Sequence, residues 1–217
     1  MTHTAPQNPI ALEARAPDGA RLSSASASRN KAPISEALAG LLPPEARVFE
    51  VASGTGEHAL ACVTRRPDLI WTPSEPDPAS RASVNAWAQE AEGRMRSCLD
   101  IDVMQPGWSG GHDPFDALFC ANMIHIAPWE AAVGVFEGAR DLIASGGAVH
   151  LYGPFLDGER TAPSNLQFDT DLKRRDPRWG VRSLEAVDAL AADHGFDRTG
   201  RLDMPANNLL LSWERRS

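Results

Sequence analysis

Apolar residues recur along this chain with two spacings, the i, i+3, i+4 repeat of an amphipathic helix and the short continuous run of a buried strand. Ile34, Ala37, Leu38, Leu41 and Leu42 make one helical stripe, with the ordered region opening near Pro33, and Pro43-Pro44 ends it. Arg47 to Ala52 reads as a buried strand, Ser53-Gly54-Thr55-Gly56 as a tight turn, and Ala59, Leu60, Cys62 and Val63 as the inner face of a helix. Leu69 to Pro73 is a second strand, followed by a helix whose inner face is Val84, Trp87, Ala88 and Ala91. Further strands are expected near Ser97 to Leu99, from Phe115 to Ala121, and from Ala148 to Tyr152. Between the last two, Ala132, Val135, Phe136, Ala139 and Ile143 form a helix stripe closed by Gly146-Gly147. A long irregular stretch, Gly153 to Trp179, precedes a helix over Leu184, Val187, Leu190 and Ala191. Two strands near Phe196 to Leu202 and Asn208 to Trp213 close the chain.

Strand and helix alternate, which predicts βαβ units, right-handed crossovers and a Rossmann-like α/β fold with a mostly parallel sheet and helices on both faces. The last two strands have no helix between them and are expected to pair antiparallel. In such sheets ligands gather beyond the carboxyl ends of the strands. The residues just after each strand are therefore the ones to read for chemistry.

Composition narrows the class. With 217 residues and 42% hydrophobic content, the chain suits one α/β domain with a full core. Residues 1–28 are expected to be a flexible Ala/Ser/Pro lead and residues 29–217 the single domain. Neither a signal peptide nor a bilayer-spanning apolar run is present in this sequence, so a cytoplasmic protein without membrane contact is expected. A net charge of −8 is the wrong sign for nucleic-acid binding, and Lys173-Arg174-Arg175 is flanked by Asp171 and Asp176. Cys62, Cys98 and Cys120 are three in number and far apart, which argues against disulfides and structural zinc, and no metal site is expected.

The turn Ser53-Gly54-Thr55-Gly56 follows an acid, Glu50, at the end of the first strand. Glycines there let backbone approach a ligand closely, although many plain strand–helix turns use them too. Glu75 follows the second strand, where a carboxylate accepts both ribose hydroxyls, and Asp102 follows the third, where it accepts from an adenine amino group. Gly54 to Ala59 also satisfies the dinucleotide pattern G-x-G-x-x-G/A. Against that cofactor, an acid at the end of the first strand suits a cationic amino group better than a pyrophosphate. A short-chain dehydrogenase needs Tyr and Lys four apart, but the sole tyrosine is Tyr152 and position 156 is Leu156. A sulfonium cofactor, S-adenosylmethionine, fits better.

The stretch Glu50-Val51-Ala52-Ser53-Gly54-Thr55-Gly56-Glu57-His58 resembles motif I of class I S-adenosylmethionine-dependent methyltransferases. It is especially similar to the DUF938 group, related to methyltransferase-like protein 26. The resemblance continues through Trp71 to Pro78, Phe115 to Pro128, Tyr152 to Phe155, Thr161 to Asn165, Asp176 to Gly180 and Met204 to Asn208, and Arg29-Asn30-Lys31 with Pro33-Ile34 matches the opening of that group. It implies a seven-stranded methyltransferase sheet with an antiparallel C-terminal strand. It also implies Asn30, Glu50, Ala52, Ser53, Gly54, Gly56, Glu75 and Asp102 around the cofactor, with Ala121 and Asn122 beneath it. Ala52 departs from the glycine common in the broader superfamily.

Methyl transfer is an in-line displacement, so positioning dominates, and a base helps when the acceptor is a hydroxyl or protonated amine. His125 is the first catalytic candidate and Tyr152 the second; the plain readings are a packing histidine and a sheet anchor. His58 either touches the carboxylate end of the cofactor or fills a gap. A long Pro-punctuated segment in a compact domain is expected to form a lid, which makes Asn165, Phe168, Arg178, Trp179 and Asn207 candidates for holding a small-molecule substrate. The alternatives are a cofactor-binding regulatory or scaffold protein without turnover, and a methyltransferase acting on protein or peptide.

Overall fold

The computed structural model describes residues 15–217; the first half of the expected N-terminal lead lies outside the described residues. The described chain opens with a hairpin, β1 (Arg15–Asp18) and β2 (Arg21–Ser24). Helix α1 (Ala25–Leu41) follows, capped where the Ser24 side chain accepts from the Ala27 amide at 3.0 Å. The helix thus begins ahead of the expected start near Pro33, which lies inside it. A proline there has no N–H for the carbonyl four residues back, Arg29, a cost that the burial of Ile34 and Leu38 offsets.

The central strands and helices alternate as expected: β3 (Arg47–Val51), α2 (Glu57–Arg65), β4 (Ile70–Pro73), α3 (Pro78–Ala88), β5 (Phe115–Ala121), α4 (Trp129–Leu142) and β6 (Ile143–Gly153). Asp77 caps α3 by accepting from the Ser80 amide, and Pro78 occupies its first position. After β7 (Phe155–Leu156) comes α5 (Pro163–Arg175), inside the stretch read from sequence as irregular. Only Asn165 and Leu172 of this helix are buried, so it carries no apolar stripe. Side-chain pairs one turn apart, such as Lys173 with Asp169 at 2.6 Å, support it instead. The chain ends with β8 (Arg182–Ser183), α6 (Leu184–Asp193), β9 (Phe196–Met204) and β10 (Asn208–Arg215).

The main sheet has six strands in the order β4-β3-β5-β6-β10-β9, all parallel except β10, which runs against both neighbours. The seventh strand implied by the resemblance does not form as a ladder. The segment expected there, around Met95 to Leu99, touches β4 through two isolated bridges, Trp71 to Met95 and Ser74 to Leu99. Between them lies Pro73, which has no N–H to donate, and the pairing resumes one residue out of register. One apolar cluster, built on Phe136, Phe196 and Trp213, fills one face of the sheet under α4 and α6. A second, built on Ile34, Leu38, Trp71 and Val84, fills the other under α1, α2 and α3. No helix of the described residues is long and apolar enough to cross a membrane.

Candidate cofactor and acceptor site

The carboxyl ends of β3, β4, β5 and β6 open into one cavity of ≈ 1150 Å³, with α1 and α5 as its outer walls. That is above the range of about 300–1,000 Å³ usual for a single small ligand. Three residues after successive strands or turns take left-handed backbone along its floor: Ala52 (φ 54°), Gly54 (φ 59°) and Asn122 (φ 61°). A Cβ on Gly54 would meet only the Arg15 guanidinium, at 4.0 Å, so the backbone here is open toward the cavity. The same floor holds Ser53, Thr55, His58, Glu75, Asp102 and Ala121.

Glu75 is buried, accepts from the Gly54 amide at 2.9 Å and from the Asp77 amide at 3.3 Å, and lies within reach of the Arg15 charge. Burial outweighs these bonds and raises its pKa. His58 is half-buried, its pKa pushed down to about 4 by desolvation, so its imidazole is neutral and its Nε2 bonds Asn30 Oδ1 at 2.7 Å. The Asn30 and Asn208 side chains in turn face the Tyr152 hydroxyl, whose pKa burial raises. A polar chain therefore links α2, α1, β6 and β10 across the cavity wall.

Glu50 and Gly56 stand elsewhere. Glu50 is 1% exposed, behind the glycine turn, and accepts from the Trp71 indole at 3.0 Å. Burial lifts its pKa to about 7 against the hydrogen bonds from Ser53 and Trp71. Gly56 (φ 93°) is a packing glycine: a Cβ there would lie 2.9 Å from the Val84 Cα of α3. Its role is the close approach of α2 and α3. Glu57 anchors the same region, since its carboxylate takes the Ser24 amide at 2.9 Å, the Lys31 ammonium at 2.9 Å and the Thr55 hydroxyl at 3.1 Å. Burial pushes this carboxyl up, but the Ser24 and Lys31 contacts outweigh it and hold the pKa below the usual range.

The two catalytic candidates, His125 and Tyr152, both line the cavity and both are buried. Burial, with the Arg182 charge nearby, drives the His125 pKa down to about 3, so the ring is neutral. Its Nδ1 faces the Arg182 amide at 3.4 Å, and an acceptor there puts the ring proton on Nε2. Nε2 is the one buried side-chain polar atom among the described residues with no partner. Arg182 braces this turn from outside by donating to the Ile124 carbonyl at 2.8 Å and the Ala127 carbonyl at 2.6 Å.

Asn165 and Phe168 of α5 also line the cavity. Asn165 donates to the Asn207 carbonyl at 3.0 Å, while the Asn207 side chain donates to Ser164, so Asn207 frames the wall without forming it. Arg178 and Trp179 do not line it: Arg178 is exposed and clamps Asp176 at 2.7 Å. The sequence reading missed Arg15, Arg29 and Arg175 on the lining. Arg29 neighbours Asn30 in the sequence, but the hairpin and α5 that carry the other two gave no apolar pattern to locate them.

A family model described as a protein of unknown function, DUF938, matches residues 21–215. Among solved structures, an O-methyltransferase family protein from Burkholderia thailandensis superposes with a TM-score of 0.74 at 17% identity, over 88% of this chain and 57% of its own. The SAH-bound form of a methyltransferase in calicheamicin biosynthesis gives 0.73 at 15%, over 88% and 54%. Human N-acetylserotonin methyltransferase in complex with SAM gives 0.70 at 15%, over 88% and 52%. This chain thus spans about half the length of the solved structures it matches, and what it shares with them is the methyltransferase fold.

Proposed function

Because the chain belongs to the DUF938 family and has the methyltransferase fold, we propose that it binds S-adenosylmethionine in this cavity and transfers its methyl group to a small molecule. The observation that carries the reading is the cavity itself. An open Gly54 backbone, a carboxylate at Glu75 and another at Asp102 lie at one end, and a buried histidine with an unsatisfied nitrogen at the other. The residues fit the cofactor. Glu75 suits the ribose hydroxyls, Asp102 the adenine amino group, and the left-handed turn Ala52 to Gly54 the close approach of a ligand. Glu50, behind the turn, titrates near neutrality, and a cation bound above the turn would hold it ionised.

The cofactor supplies a methyl carbon on a positive sulfur: the acceptor lone pair forms the new bond to carbon while the S–CH3 bond breaks and its electron pair stays on sulfur. The protein's part is alignment and proton handling. Neutral His125, with its proton on Nε2, suits donating a hydrogen bond that orients the acceptor. Tyr152, a phenol at neutral pH because its pKa is raised, serves as a second orienting hydroxyl. The acceptor proton passes to bulk water after the bond has formed.

The test is calorimetric titration of S-adenosylmethionine and its demethylated product into the wild type and into Gly54→Arg. The arginine side chain would fill the open space above position 54. Binding by wild type and none by the variant supports the reading; no binding by either sinks it. Binding without product formation across a broad acceptor panel would identify a regulatory protein instead.

A further inference from the structure

The turn after β5 and the Gly153 end of β6 frame a niche in the cavity wall. A Cβ on Gly153 would lie 2.5 Å from His125 Nε2 and 3.3 Å from Asn122 Oδ1, so the two atoms flank one point in front of that glycine. The same turn carries both residues. The Asn122 backbone N–H donates to the Tyr152 carbonyl at 2.7 Å, and the His125 backbone N–H donates to the Asn122 carbonyl at 3.2 Å. The Phe155 ring packs edge-on against the imidazole at 5.1 Å, and the Gly180 backbone N–H holds the His125 carbonyl at 3.0 Å. These contacts fix the ring with Nε2 toward the niche, where its proton has no acceptor. Asn122 lines the cavity half-buried, and among the described residues no hydrogen bond holds its side-chain amide. Oxygen is the amide atom turned to the niche, and the chemistry agrees, because an NH2 there would set donor beside donor.

We infer that the methyl acceptor is a neutral hydroxyl, its oxygen accepting from His125 Nε2 and its hydrogen donating to Asn122 Oδ1. The inference rests on the methyltransferase reading and names the acceptor group of the same site. A donor and an acceptor about one point are both satisfied by a single hydroxyl, which carries one hydrogen and two lone pairs. One lone pair accepts from His125, and the other forms the bond to the methyl carbon. As that bond forms the S–CH3 bond breaks, its electron pair stays on sulfur, and the hydroxyl proton leaves to water. A carboxylate or an ether has no hydrogen for Asn122, and an ammonium has no lone pair for His125, so each leaves a buried polar atom unpaired. A carboxamide has both functions but on two separate atoms, which one point does not suit. The unbonded Asn122 amide can turn to admit the hydroxyl between itself and the imidazole.

The experiment uses the full chain, isotope-labelled and saturated with S-adenosylhomocysteine, and follows by NMR the binding of probes that share one ring: benzyl alcohol, benzylamine, benzoate, benzyl methyl ether and benzamide. The expected result is that the alcohol binds about 10-fold or more tightly than each of the others. Gly153→Ala fills the niche and should abolish that preference with S-adenosylhomocysteine affinity retained. Asn122→Asp gives an independent readout: aspartate tolerates the same left-handed backbone and makes the acceptor anionic, so benzylamine should gain about 10-fold in affinity over wild type. Retained S-adenosylhomocysteine binding with the alcohol unbound or matched by another probe overturns this inference alone. So does an alcohol preference that survives Gly153→Ala, or no gain for benzylamine in Asn122→Asp. Absence of S-adenosylhomocysteine binding by the wild type overturns the methyltransferase reading and this inference with it.

Discussion

Replacing Glu50 by glutamine should make the protein more stable at neutral and alkaline pH. The Glu50 carboxyl is 1% exposed, and burial raises its pKa from 4.5 to about 7. Between those values the native state keeps a proton that the unfolded chain has released, so raising the pH through this window draws the chain toward the unfolded state. At ~1.4 kcal/mol per pH unit the full displacement amounts to about 3 kcal/mol, complete by pH 8 and only about 1 kcal/mol at pH 5. Glutamine has the same shape, keeps an oxygen for the Trp71 indole, and has no charge to bury. Urea unfolding followed by circular dichroism at pH 5, 6, 7 and 8 measures the difference between Glu50→Gln and wild type. The titrating histidines are common to both proteins and cancel in that difference. The variant's advantage should grow with pH over this range, and saturating S-adenosylmethionine should narrow it by stabilising the ionised carboxylate. A difference that stays flat from pH 5 to pH 8 would show that Glu50 ionises normally and refute the reasoning.

The wild type itself should lose stability on acidification. His58, His125 and His150 are held neutral by burial with pKa values of about 3 to 4, so below 6.5 the unfolded chain takes up protons that the native state refuses. Urea midpoints at pH 7 and pH 5 of His150→Gln against wild type isolate one such group, and an equal loss in both would contradict it. Ala52→Gly should stabilise by about 1 kcal/mol, because Ala52 is held at φ 54° where a Cβ is strained; thermal unfolding checks it. Arg182→Gln should cost about 2 kcal/mol by leaving the Ile124 and Ala127 carbonyls without their donor, read by urea unfolding. Gly153→Ala puts a Cβ 2.5 Å from His125 Nε2. It should lower methyl-transfer turnover about 10-fold or more while S-adenosylhomocysteine affinity, measured by calorimetry, is unchanged.

How much of the site was legible in the sequence depends on how local its cause is. The glycine turn after β3 and the acids after the next strands can be located because they directly follow apolar runs whose direction sets where ligands gather. Ala52, Gly54, Glu75, Asp102, Asn122 and His125 all reach the cavity for that reason. Glu50 and Gly56 belong to the same motif, yet the pleat turns Glu50 under Trp71 and the approach of α3 uses up Gly56, neither of which a linear pattern contains. Arg178 and Trp179 are substrate candidates by sequence because the chain from Gly153 onward reads as irregular, yet neither lines the cavity. The helix α5 within it, held by polar pairs rather than an apolar stripe, puts Asn165 and Phe168 on the cavity wall instead.

By itself the sequence determined the alternation of strands and helices, the lone antiparallel strand near the C-terminus, and the glycine turn that lines the cavity floor. These follow from hydrophobic period and from glycine and proline chemistry, which act over a few neighbouring residues. Tertiary structure decided that the expected seventh strand stays a pair of bridges around Pro73, that Arg29 and Arg175 face one cavity from helices far apart in the chain, and that His125 keeps a nitrogen unpaired. Those outcomes depend on which surfaces are buried against one another, and burial sets both the register of a strand and the charge state of a side chain.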